Sequence, residues 1–185
     1  SSGTSYVYTN HLSAINPEFK ETIGAAKSPK WTAKTLVKSP KNDGVTATIK
    51  QTPGSIGYIE YGFAKLTKSP TAILENQKGK FVAAGGETGA AALATTTFPT
   101  GNLPESDVPD LRAWSTDPSG ADAYPIASFT WLLVYKDQDD AKAKAMQNLI
   151  EYMVTTGQKS AEEMGYIPLP ANVVDKVRNA AKMIK

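Results

Sequence analysis

Three residues near the start of the chain, Ser2-Gly3-Thr4, carry the most specific chemistry in its 185 residues. Ser2 is a good helix N-cap, and Tyr8, Leu12 and Ile15 follow at i, i+4 and i+7, so a helix is predicted to open here and close at Asn16-Pro17. The first turn of a helix has unpaired backbone N–H groups and the positive end of the helix dipole, both aimed outward. Gly3 omits a Cβ where an anion would approach the backbone, and the hydroxyls of Ser2 and Thr4 can donate to separate oxygens. That chemistry is the capture of an oxyanion by neutral donors. The plainer alternative is an N-cap with no ligand.

Other reactive arrangements fail on type or spacing. Ser2 as a nucleophile with His11 as its base would need the two side chains in contact, but nine residues of continuous helix separate them by ~13 Å along the axis. No Gly-x-Ser-x-Gly elbow occurs, and His11 is expected to be a partly exposed helix residue. Glu105, Asp107, Asp137 to Asp140, Glu162 and Glu163 match no calcium-loop spacing and read as solvated faces. The absence of cysteine excludes disulfides, thiolate nucleophiles and thiolate metal sites, and a single histidine excludes a His-rich metal centre; no cofactor is expected. Trp31, Trp114 and Trp131 are expected to cover a core, and the lysines from Lys20 to Lys50 to be solvated.

With 20 Lys and Arg against 18 Asp and Glu, the net charge of +2 excludes the strong basic bias of an electrostatic nucleic-acid binder. The longest apolar stretch falls short of the ~20 residues that span a bilayer. The start of the chain lacks the charged and apolar regions of a signal peptide. Helical and strand patterns alternate, which points to an α/β fold. A short helix is expected from Asn42 to Ile49, a buried strand over 55–61 (SIGYIEY), and over 66–123 a mixed segment punctuated by Thr, Ser, Pro and Gly, with a loop at Gly85-Gly86, that reads as a boundary or crossing zone. The most apolar run, 126–135 (IASFTWLLVY), reads as a central strand covered on both faces. An amphipathic helix is predicted from Asp139 through Met146, Leu149, Ile150, Met153 and Val154 to Gly157. A short helix around 160–164 and a last one from Pro170, with Val173, Val177, Ala181 and Ile184 on one face, complete the chain.

Several blocks together resemble one family, the periplasmic phosphate-binding protein of the bacterial high-affinity phosphate ABC transporter, in a style similar to cyanobacterial members. They are residues 2–9 (SGTSYVYT) with Leu12, 41–45 (KNDGV), 51–61 (QTPGSIGYIEY), 124–126 (YPI), 133–138 (LVYKDQ) and 165–170 (GYIPLP), in the family's order. The resemblance implies a type II periplasmic-binding-protein fold, present here in part: residues 1–123 in the second lobe, and 124–185 returning to the first. It implies that Ser2, Gly3 and Thr4 hold inorganic phosphate, with Ser1, at a position where members usually carry glycine, as a further contact. It also implies an extracytoplasmic, non-enzymatic protein whose partners are phosphate, a membrane permease and an N-terminal portion of the same protein.

The family's arginine just before the loop, and the aspartate that accepts a hydrogen bond from protonated phosphate, belong to that N-terminal portion, so selectivity over sulfate is not legible. Arg112 and Arg178 align with no binding position. Residues 35–40 (TLVKSP) replace the glycine-rich segment that members carry before Asn-Asp-Gly. The remaining readings are a binder of sulfate or molybdate, an interaction module that reuses the fold, and a phosphoesterase with Ser2 as nucleophile.

Overall fold

Seven α-helices and one short hairpin make up most of the regular structure of residues 1–185, all of which are described by the computed structural model. Helix α1 (Gly3–Ile15) opens where Ser2 Oγ accepts the Ser5 N–H at 3.2 Å. It ends at Asn16, whose side chain accepts from Phe19 N and so caps α2 (Pro17–Thr22), with Pro17 in the first turn. Helix α3 (Lys41–Gln51) covers the expected 42–49, and α4 (Tyr61–Thr67) closes on Lys68 in the left-handed region, φ 51°.

The segment 66–123 is more ordered than its composition suggests. Strands β1 (Leu74–Glu75) and β2 (Phe81–Val82) pair antiparallel around a turn in which Asn76 Oδ1 accepts from Lys78 N and Lys80 N. The Asn76 side-chain amide donates onward to the carbonyls of Ala121 and Ala123, which ties the hairpin to the following loop. Helix α5 (Gly86–Ala94) then buries Gly86, Gly89, Ala92 and Leu93. Helix α6 (Asp140–Val154) is capped by Asp139, whose carboxylate accepts from Lys142 N at 3.0 Å. It ends at Thr155, before Gly157, and a 3-10 helix at Thr156–Ser160 takes the place of the helix expected at 160–164. Helix α7 (Ala171–Ala181) follows Pro170 as expected.

Two expectations about strands are corrected. Residues 55–60 form no strand; Ile56 is 97% exposed, and Tyr61 already begins α4. Residues 127–135 form no strand either: none of their backbone groups hydrogen-bonds another backbone group, and Thr116 and Ile126 make only an isolated bridge. Leu133 and Tyr135 stand 92% and 87% exposed. The composition suits a strand, but strand structure requires a neighbour to accept and donate, and no other part of the chain supplies one.

Apolar packing is divided. One cluster joins Ala92 and Leu93 of α5 to Ala123 and Ala127, with Phe129 and Ile167 against it. The other lies between α6 and α7, where Ala143, Ile150 and Ile184 pack with Val134, Met146, Val177 and Ala181. Only 24 of 185 residues are buried, and the accessible surface is 12176 Å². A compact monomer of 19.7 kDa exposes about 8,600 Å².

The 161–169 loop seats on the N-terminal part of the chain through Ile167 against Gly89 and through Gly165 against Gly62. Gly165 has φ +81°, and a Cβ there would lie 2.2 Å from the Gly62 Cα. Gly165→Ala is therefore expected to cost about 2–4 kcal/mol, from left-handed strain plus forced displacement of backbone. A chemical-denaturation midpoint within error of the parent would refute this.

Candidate anion site

The Ser2-Gly3-Thr4 loop lies at the mouth of α1, and tertiary contacts hold it there. Ser2 N donates to Lys27 O at 2.8 Å, which fixes the entry of the chain into the helix. Thr9, fully buried, donates from Oγ1 to Ser5 O and accepts from Ala26 N at 2.9 Å, which clamps the second turn of α1 to the same 26–27 segment. Ser5, 8% exposed, shares a hydrogen bond of 2.8 Å with the Tyr58 hydroxyl. The buried face of α1 is thus Ser5, Thr9 and His11, whereas Ile15, on the expected apolar stripe, is 52% exposed.

The outward face of the loop is free. Ser5 N and Tyr6 N return to Ser2, but the amides of Gly3 and Thr4 donate to no acceptor in the chain. Ser2 Oγ already accepts from Ser5 N, so its own proton points elsewhere. A Cβ on Gly3 would meet nothing within 4 Å, so nothing within the chain demands glycine at this position. Ser1 and Gly3 are exposed, while Ser2 and Thr4 are half-buried. Two free amides and the Ser2 and Thr4 hydroxyls therefore sit at the positive end of the helix dipole, a set of donors suited to an anion.

Helix α1 is unbroken from Ser2 to His11, so the two side chains stay about 13 Å apart along its axis. His11 is buried rather than partly exposed, at 6%, and its Nδ1 has no partner. No group of three or more His, Cys, Asp or Glu side chains lies close enough to hold a metal. Arg112 is engaged by Asp110 in a bidentate pair of 2.9 and 2.8 Å that holds the Asp110 carboxyl at about 2. Arg178 is likewise held by Glu151.

Behind the loop, the Tyr8 and Tyr58 rings stack at 4.4 Å, with Trp31 6.0 Å from Tyr58. Burial pushes the Tyr8 and Tyr124 phenols upward, so they remain neutral. Trp114, at 42% exposure, covers less core than expected, although it packs against Tyr6 and Trp131. The sequence reading missed Ser5, Thr9 and Tyr58. Hydroxyls four residues apart on one helix face were a visible signal for the first two, but nothing local marks Tyr58.

Burial lowers the His11 pKa, with Asp117 opposing the shift weakly. Its unfolded value is near 6.5, so the unfolded chain binds the proton more readily, and stability falls as pH drops below about 6.5. His11→Gln is expected to flatten the urea midpoint between about pH 5 and 7. An unchanged slope would show that other groups set it.

A sequence profile of the PBP superfamily domain matches residues 1–156. The chain belongs to the PBP superfamily. Among its relatives, the phosphate-binding protein PstS of Methanocaldococcus jannaschii is 37% identical over 193 residues, covering 100% of this chain and 49% of the relative. The protein of the same name from Pasteurella multocida is 33% identical over 178 residues, covering 96% and 49%. That from Haemophilus influenzae is 30% identical over 182 residues, covering 98% and 52%. This PBP-superfamily chain thus spans about half the length of the curated relatives it matches. It is rich in helix and poor in strand for an α/β fold of that superfamily, in keeping with an incomplete fold.

Proposed function

We propose that this chain contributes the phosphate-contacting loop of an extracytoplasmic, non-enzymatic binding protein that passes inorganic phosphate to an ABC-transporter permease. The observation that carries the reading is the open first turn of α1, where the Gly3 and Thr4 amides and the Ser2 hydroxyl proton have no partner in the chain. That these relatives are phosphate-binding proteins supports phosphate as the anion. Ser2, Gly3 and Thr4 donate to its oxygens, and Ser1 lies at the rim. A near-neutral chain suits this task, because aimed dipoles rather than a broad positive field select one small anion.

In this reading, residues 1–123 belong to the second lobe and 124–185 return to the first. The apolar cluster of Ala143, Ile150 and Ile184 lies wholly within the later segment, whereas that of Ala92, Leu93 and Ala123 crosses the boundary to Ala127, Phe129 and Ile167. The run 127–135, which exposes Leu132, Leu133 and Tyr135, is where a complementary half of the fold seats, whether on the same polypeptide or another.

Calorimetry of the 185-residue chain with phosphate and sulfate tests the reading. With one jaw of the site, phosphate is expected to bind weakly, at about millimolar Kd. A response to sulfate but not phosphate would reassign the anion. Tight, selective phosphate binding by this chain alone would overturn the one-jaw account.

A further inference from the structure

The first turn of α1 depends on a residue far away in sequence. Tyr58 lies in the irregular 55–60 segment, yet its hydroxyl is 2.8 Å from Ser5 Oγ across 53 residues. Its ring is fixed by stacking on Tyr8 at 4.4 Å with 16° between planes, and by Trp31 at 6.0 Å. An aromatic ring held on two sides delivers its hydroxyl to one place at low entropic cost. Ser5 in turn donates its backbone N–H to Ser2 Oγ, so the contact reaches the anion loop in a single further hydrogen bond.

We propose that Tyr58 is a positioning residue for the anion loop. By holding Ser5, it fixes the first helical turn and therefore the aim of the Ser2 hydroxyl and of the free Gly3 and Thr4 amides. The inference rests on the phosphate reading above. Tyr58 itself touches no anion; it acts through Ser5. Aimed donors lose binding strength steeply when their direction wanders, because hydrogen bonds weaken with misalignment.

Tyr58→Phe keeps the ring and its stacking and removes only the hydroxyl. In the 185-residue chain it is expected to weaken phosphate binding by about tenfold, the equivalent of one hydrogen bond of ordinary strength. Amide hydrogen exchange without phosphate is expected to speed up at Ser5 and Tyr6, whose N–H groups donate to Ser2, and to stay unchanged in α6 and α7. Ser5→Ala should have a similar effect, and the double variant should be little worse than either, because the two substitutions remove one shared contact. Fully additive losses, or a Tyr58→Phe chain with unchanged affinity and exchange, would overturn the inference while phosphate binding sensitive to Ser2→Ala stood. Phosphate binding indifferent to Ser2→Ala would overturn the phosphate reading, and this inference with it. Exchange that rises across the whole chain would make Tyr58 a general stabiliser rather than a positioning residue.

Discussion

Supplying a complementary half of the PBP fold is expected to tighten phosphate binding by about a hundredfold or more and to raise the thermal midpoint of the chain. The surface of 12176 Å² exceeds that of a compact monomer of this mass by about 3,600 Å². Covered by a partner that loses as much, such an excess would amount to about 7,200 Å² in total, above the usual range of about 2,000–5,000 Å² for obligate complexes. Part of it is concentrated on 127–135, where an apolar run offers unpaired backbone groups and exposes Leu132, Leu133 and Tyr135. An extended edge of that kind pairs with whatever strand is offered, including other copies of itself.

A second set of donors from the facing half would add two or more hydrogen bonds to a charged ligand, at about 1.5–3 kcal/mol each, and tenfold in Kd needs only about 1.4 kcal/mol. The experiment co-expresses this chain with the part of the Methanocaldococcus jannaschii relative that lies outside the match. Light scattering should show a one-to-one complex, and calorimetry the tighter binding. Failure to form that complex would argue against 127–135 as the seat. A stable complex with no gain in phosphate affinity would argue against the loop as half of a two-jawed site.

Gly3→Ala and Ser2→Ala should part company in a way that separates binding from folding. Alanine at position 3 meets no atom within 4 Å, and in a helix it is favoured over glycine by about 1 kcal/mol, so stability should hold or rise. The same methyl group occupies the space an anion needs to reach the two free amides, so phosphate affinity should drop by about tenfold. Ser2→Ala removes both the cap of α1 and a donor to the anion. It should cost about 1 kcal/mol of stability and ten- to a hundredfold in affinity. Calorimetry paired with urea melts measures both quantities on each variant. If Gly3→Ala binds phosphate as tightly as the parent, the anion does not sit over the first turn and the proposed site is wrong.

Much of the helical structure could be read from local signals. Ser2, Asn16, Asp139, Pro17 and Pro170 mark helix ends through side-chain caps or fixed backbone angles that act within three or four residues. The free donors of the first turn of α1 were legible for the same reason, since they belong to one helical turn. Helix α5 and the hairpin at 74–82 were not, because their sequence reads as punctuation between loops and their contacts, such as Asn76 with Ala121 and Ala123, span more than forty residues. His11 was expected to be partly exposed and Tyr8, Leu12 and Ile15 to form the apolar stripe, yet the face of α1 that packs inward carries Ser5, Thr9 and His11.

By itself the sequence determined where α1, α3, α6 and α7 lie, which turn presents free donors, and that thiolate or His-rich metal chemistry is absent, because each depends on residue types or on neighbours close along the chain. The tertiary structure alone decided that 55–60 and 127–135 do not become strands, since strand structure requires a partner's backbone groups and these runs find none. It alone brought Tyr58 to Ser5 and residues 26–27 to α1, because contacts between distant segments are set by packing rather than by any local pattern.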